Sequence, residues 1–212
     1  EDAFRLLGDD IRTRISNQER EAVFLHEAKD PIGRLDDFIR AIFGLEPAAH
    51  HQEWIDAIHD LEDQPNERLM IISPPGHAKT TVVGVAYPAW RIGNMPNRHF
   101  IYYSSTMTQA EKQTQAVRDL VESPAYQRLF PAIKRSSTKP WGGGKWYVER
   151  EQAWDKDPTM LAMGVDGPAL GARADEIIFD DICSPDNMAT VASRRKVRDK
   201  IAGVAFSRQG GE

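Results

Sequence analysis

Two apolar segments, about a hundred residues apart, constrain the fold of this chain more than any other feature. Residues 68–72 lead into a turn-rich loop that ends in Lys79 and Thr80, and residues 176–180 lead into a pair of aspartates. Short apolar runs between turn signals are typical of buried strands in a parallel sheet. Because ligands of such sheets bind at the carboxyl ends of the strands, the pattern predicts that the polar groups after both runs share one site.

These two segments supply the groups that an oligophosphate and its magnesium ion need. Backbone N–H groups in a loop between a strand and a helix can surround phosphates, and the helix N-terminus adds positive potential. Lys79 would reach the β- and γ-phosphates, and the Thr80 hydroxyl would coordinate Mg²⁺. Asp180 would hold the same ion through water, and Asp181 would orient or deprotonate an attacking water. The predicted nucleotide-binding residues are Ser73, Pro74, Pro75, Gly76, His77, Ala78, Lys79, Thr80 and Thr81.

The loop departs from the phosphate-binding pattern G-x-x-x-x-G-K-[ST] at both glycines. Ser73 occupies the first glycine position and Ala78 the second, where a Cβ atom restricts positive φ values. An ordinary strand-turn-helix connection is the alternative interpretation, because Pro-Pro-Gly forms turns in many contexts. The acid pair after a second apolar run favours the phosphate interpretation.

The order of elements predicts an α/β fold with a parallel sheet covered on both faces. An N-terminal helical segment, residues 1–63, would serve as a lid or subunit contact before a core at 64–212. Helices are predicted at 11–29, 31–43, 50–62, 79–91, 108–121 and 188–206, strands at 68–72, 99–103 and 176–180, a hairpin from 145–148 and 159–163, and a loop at 141–144.

Composition is that of an ordinary globular chain, with 212 residues, a net charge of −5 and one cysteine, Cys183, which excludes an intrachain disulfide. No apolar run approaches the roughly 20 residues that span a bilayer. Basic residues concentrate at 194–208 and at 134–145. Each stretch is either a solvated face or a local surface for phosphate backbone or an acidic subunit.

Several segments taken in order resemble one protein family. They are residues 69–81, 87–96, 101–105, 123–131 and 171–181, and the resemblance extends from Trp54 to Gly211. The chain resembles the ATPase domain of the large terminase subunit of tailed bacteriophages. The resemblance implies a three-layer P-loop NTPase core of the additional-strand catalytic-acid type with a mostly parallel central sheet.

The resemblance also implies an activity, cofactors and partners. The domain would hydrolyse ATP with Mg²⁺ to translocate double-stranded DNA into a procapsid in the host bacterial cytoplasm. It would act as a homo-oligomeric ring with portal and small terminase subunits, although the isolated chain could be monomeric. Lys79 and Thr80 match the phosphate-loop pair, Asp180 the magnesium-associated acid, and Asp181 the catalytic carboxylate, which is usually glutamate. Arg173 matches a position from which related motors place an arginine finger on a neighbouring subunit; the alternative is a surface arginine paired with Asp175 or Glu176.

The family's coupling motif and its nuclease domain would follow residues 206–211, so the resemblance implies that this chain is a fragment without the endonuclease. Two other functions remain open from the residues alone. One is another P-loop ATPase of helicase-like or partition type. The other is a nucleotide-binding switch or scaffold with little turnover, which the departures at Ala78 and Asp181 favour.

Overall fold

A computed structural model describes residues 30–61, 64, 68–150, 154–167 and 173–207. The predicted helix at 11–29 lies outside the described residues. The chain divides into two compact units between Ile71 and Ile72. Among the helices of the described residues, none is both long and apolar enough to cross a membrane.

The first unit contains two helices, α1 (Leu35–Phe43) and α2 (Ala49–Leu61), which confirm the helices predicted at 31–43 and 50–62. An apolar face on each helix is buried, with Leu35 and Phe38 on α1 and Ile55 on α2 all fully covered. Gly44 ends α1 with a φ of 61° and donates its N–H to Arg40 at 3.0 Å. This left-handed cap explains why the helix stops at the glycine.

The second unit is built on a five-stranded sheet. Its strands are β1 (Phe100–Ser104), β2 (Trp141–Gly142), β3 (Lys145–Trp146), β4 (Met160–Gly164) and β5 (Glu176–Phe179). Their order is β2-β3-β4-β1-β5, in which β4, β1 and β5 are parallel and β2 and β3 are antiparallel. The sheet is therefore mixed, with parallel strands at the end that carries the two aspartates.

The second unit also contains helices. A π-helical segment, Thr80–Ala86, continues directly into α3 (Tyr87–Asn94). The remaining helices are α4 (Met107–Glu122), α5 (Pro124–Leu129), α6 (Pro185–Met188) and α7 (Val191–Ser207). Thr106 and Ser123 accept hydrogen bonds from backbone N–H groups at the starts of α4 and α5, as helix-capping residues do. The helices predicted at 79–91, 108–121 and 188–206 are confirmed within a few residues.

Two local predictions were wrong. The apolar run at 68–72 forms no strand, and Met70 and Ile72 are 82% and 87% exposed. Apolarity alone does not make a strand, because its backbone groups need a neighbouring strand, and none of the described strands pairs with these residues. The stretch 141–144, predicted as a loop, instead contains β2 and the turn to β3.

Candidate functional site

The loop at 73–79 is largely exposed and contains two residues with positive φ. Gly76 has a φ of 83° and Ala78 a φ of 54°. Ala78 therefore adopts, at the second glycine position of the phosphate-loop pattern, the left-handed conformation that glycine adopts without penalty. For a residue with a Cβ atom this conformation costs roughly 1–2 kcal/mol. The left-handed conformation of Ala78 therefore stores strain in the loop.

The helix after the loop begins as a π-helix, a rare winding that occurs frequently at functional sites. Tyr87 N–H donates to Val82 O, which closes the wider turn. Gly84 lies within this segment and is buried. The start of this segment, at Lys79 and Thr80, contacts the aspartates that follow β5.

Asp180 is the buried acid of the site. It is 9% exposed, and its N–H donates to Tyr103 O at 2.9 Å, which continues the pairing of β5 with β1. Its Oδ2 accepts hydrogen bonds from Thr80 Oγ1 at 3.1 Å and from Tyr102 Oη at 2.8 Å. Two residues 100 positions apart, Thr80 and Asp180, are thus in direct contact.

Asp181 differs from its neighbour in almost every respect. Its side chain is 71% exposed, its φ is 44°, and its Oδ1 accepts a hydrogen bond from Lys79 Nζ at 3.0 Å. Aspartate tolerates the left-handed region better than most residues. The turn directs this carboxylate towards the lysine of the loop and leaves it accessible to water.

The oxygen atoms gathered here suit a magnesium ion. Mg²⁺ in nucleotide sites is held by one or two protein oxygens, with phosphate and water oxygens completing the octahedron. Thr80 Oγ1 and the Asp180 carboxylate supply such oxygens, and the Asp181 carboxylate follows in sequence. The residues present therefore fit a magnesium ion bound together with phosphates.

The other predicted site residues lie in or near the loop or at the far end of β5. Within the loop, His77 Nδ1 lies 3.2 Å from Pro75 O, and Ser73 Oγ donates to Pro74 O at 3.3 Å. Pro74, Gly76 and Thr81 are exposed.

Arg173 precedes the amino end of β5, whereas Asp180 follows its carboxyl end. Four strand residues extend over about 13 Å, so Arg173 is not among the groups around Asp180. Its N–H donates to Asp157 Oδ1 at 3.4 Å. Asp175 and Glu176, the acids expected to pair with it otherwise, contact His99 and Arg98, respectively.

Tyr102 is the contact that the sequence did not predict. It is fully buried, and its hydroxyl donates to Asp180. Burial, followed by the charge of Asp180, raises the pKa of Tyr102, so the phenol remains a proton donor. Adjacent residues of a strand face opposite sides, and Tyr103 stacks on Phe179 with ring centroids 5.3 Å apart. To predict that Tyr102, and not Tyr103, lies next to Asp180, one would have to know that β1 and β5 are neighbouring strands.

A basic surface lies on α7, soon after the acid pair. Arg195, Lys196 and Arg198 have side chains 74%, 73% and 72% exposed, while Val197 is buried. The cations of this α7 basic surface have nearby acidic partners: Arg195 and Arg198 lie 3.6 and 3.0 Å from Asp199, and Lys196 lies 3.7 Å from Asp166. The cations of the other basic stretch, 134–145, lie against aromatic rings. Arg135 lies 6.0 Å from the Trp141 ring centroid, and Lys139 and Lys145 lie 5.1 and 5.7 Å from that of Tyr147.

No protein-family model matches this chain. A stretch of 145 residues, 68% of the chain, is 24% identical to the large terminase subunit of Enterobacteria phage T3. The match covers 24% of the length of that phage protein. This distant similarity suggests a relationship to the terminase large subunits.

Proposed function

We propose that this chain is a Mg²⁺-dependent ATP-hydrolysing domain of a viral DNA-packaging motor, built on a P-loop core. The observation that supports it most is the double contact between the loop and the acid pair. Lys79 meets Asp181 and Thr80 meets Asp180, across 102 and 100 residues of sequence respectively. The distant similarity to a terminase large subunit supports the packaging role.

Each site residue would have its own role in phosphoryl transfer. The loop N–H groups and the helix N-terminus would bind the phosphates, and Lys79 would exchange Asp181 for the β- and γ-phosphates. Thr80 and Asp180 would hold Mg²⁺, which neutralises charge that develops on the transferred phosphoryl group. Asp181, released from Lys79, would accept a proton from the attacking water. In this scheme the Lys79–Asp181 pair keeps the base engaged until a nucleotide binds.

Duplex DNA is the proposed partner of the α7 basic surface. Arg195 and Arg198 are three residues apart and exposed, so they lie on one face of the helix. Each phosphate that such a cation neutralises contributes about 0.9 to the salt dependence of affinity. Replacing Arg195 and Arg198 by alanine should therefore lower the slope of log K against log[salt] by about 2. An unchanged slope would show that DNA does not bind at this surface.

Assembly into a ring in the host cytoplasm, with portal and small terminase subunits, completes the proposal. Arg173 would then act on the nucleotide of a neighbouring subunit, because it lies far from Asp180 of its own chain. Arg173→Ala should lower ATP turnover only under conditions in which the ring assembles. A loss of turnover already present in monomers would contradict that role.

A nucleotide-binding switch with little turnover is the second candidate. The strained Ala78 and the Lys79-paired Asp181 favour it, because both affect turnover more than binding. The shorter carboxylate must also reach the water with one methylene fewer than glutamate. A misplacement of about 1 Å can lower a rate about a hundredfold.

The test measures nucleotide binding and phosphate release separately, with and without DNA. Lys79→Ala should abolish both, whereas Asp181→Asn should retain binding and stop release. Lys112→Ala and Asp119→Asn are matched controls on the exposed side of α4 and should change neither. Normal hydrolysis by Lys79→Ala would disprove the site. Binding without release by the unmodified protein under all conditions would establish the switch instead.

A further inference from the structure

The Asp180 carboxylate is held by a buried phenol as well as by the loop hydroxyl. Tyr102 is fully buried in β1, and its hydroxyl lies 2.8 Å from Asp180 Oδ2. The Thr80 hydroxyl donates to the same oxygen at 3.1 Å. Two donors on one oxygen fix the rotation of the carboxylate, because turning it would break both hydrogen bonds.

Gly84 provides the space that this phenol occupies. A Cβ atom on Gly84 would lie 2.5 Å from Tyr102 Oη and 3.3 Å from Thr80 Cγ2. The first distance is shorter than any contact that real Cβ atoms make, so a larger residue would displace the hydroxyl. The π-helical segment therefore lies directly on the phenol, and the phenol lies directly on the acid.

From this stack we infer that Tyr102 is a positioning residue, which, together with Gly84, sets the direction in which Asp180 presents its carboxylate to Mg²⁺. The inference rests on the proposed function, since it assigns Asp180 to the ion. Residues that orient metal-associated carboxylates commonly change metal affinity by 10–100-fold when they are replaced. Tyr102 acts through Asp180 and does not itself contact the nucleotide.

The test uses Tyr102→Phe, which removes the hydroxyl and keeps the ring. Mn²⁺ replaces Mg²⁺ as a spectroscopic probe, and its affinity is measured by electron paramagnetic resonance with a non-hydrolysable ATP analogue present. We expect roughly tenfold weaker Mn²⁺ binding, with unchanged affinity for the analogue in the absence of metal. Tyr126→Phe is the matched control, because Tyr126 is equally buried and its hydroxyl donates to Ala89 O at 2.9 Å, away from the site.

Gly84→Ala adds a second, independent measurement. In the unmodified chain the new methyl group should displace the phenol and weaken Mn²⁺ binding. In the Tyr102→Phe chain the same change should cost less, because the nearest remaining atoms of Tyr102 and Thr80 lie 3.5 and 3.3 Å from the methyl position. Equal losses of Mn²⁺ affinity in the two backgrounds would contradict the proposed contact between Gly84 and the Tyr102 hydroxyl.

The outcomes separate this inference from the proposed function. Normal Mn²⁺–nucleotide binding by Tyr102→Phe, or an equal loss in Tyr126→Phe, would overturn the role of Tyr102 alone. Failure of the unmodified chain to bind nucleotide with Mn²⁺ would overturn the proposed function and this inference together.

Discussion

The two halves of the candidate site are held in place in different ways. The acid half continues from β5, and Asp180 is buried under two hydroxyl donors. The loop half, residues 73–79, is exposed, contains the strained Ala78 and follows an apolar run without a strand partner in the described chain. The comparison teaches that the sheet anchors the acids, while the loop takes its position from Lys79 and Thr80 where they meet those acids.

The largest loss of stability is expected from a substitution at Glu176, the first residue of β5. Glu176 accepts hydrogen bonds from Tyr87 at 2.5 Å and from Arg91 Nε at 3.0 Å, and Arg91 is 3% exposed. Glu176→Ala removes the carboxylate from a buried guanidinium, so we expect the free energy of unfolding to fall by about 3–5 kcal/mol. Chemical denaturation followed by circular dichroism measures it.

The control for this prediction is an exposed ion pair on α4. Asp119 has a side chain 58% exposed and accepts from Arg118 at 2.9 Å. Asp119→Ala should change stability by less than about 1 kcal/mol, because solvent screens such pairs. Similar losses for Glu176→Ala and Asp119→Ala would contradict the anchoring of β5 through Glu176.

A titration of stability against pH tests the other end of the parallel strands, where their amino ends lie. His99 precedes β1, and its Nδ1 and Nε2 lie 3.0 Å from Asp175 and 2.8 Å from Asp155. The hydrogen bond with Asp175 raises the pKa of His99 despite the opposing effect of burial. Burial alone would raise the pKa of Asp175, yet the bond from His99 lowers it.

The signs of these shifts give the pH window. The contribution of His99 is fully present below its unfolded pKa near 6.5 and is lost as pH rises through the higher folded value. The contribution of Asp175 is lost as pH falls below its usual value of 3.8. Stability should therefore decline above pH ~6.5 by at most about 1.4 kcal/mol per pH unit, and His99→Gln should flatten that decline. An unchanged decline in His99→Gln would contradict this assignment.

Sequence alone predicted what depends on neighbouring residues and on general rules of sheets. The helices predicted at 31–43 and 108–121 are present, and their ends at Gly44 and Thr106 depend on local caps. Thr80 does contact Asp180, but the sheet rule accounts only for Asp180 at the carboxyl end of β5, because the run at 68–72 forms no strand. The exposure of Ile72 and the role of Tyr102 were not predictable, because both depend on which strands are neighbours, and no local pattern encodes that order.

The smallest expected effect concerns strain in the loop half. Ala78→Gly keeps the backbone at a φ of 54° but removes the Cβ atom that opposes it, so the free energy of unfolding should rise by about 1 kcal/mol. Gly76→Ala is the reciprocal variant in the same loop. Gly76 has a φ of 83°, and no atom lies within 4 Å of a Cβ placed there, so its loss of stability, of about the same size, would be purely conformational. Denaturation of both variants measures the strain directly. If Ala78→Gly lowered stability while Gly76→Ala behaved as expected, the left-handed conformation would belong to Gly76 alone, and the loop would not have the shape that the phosphate pattern requires.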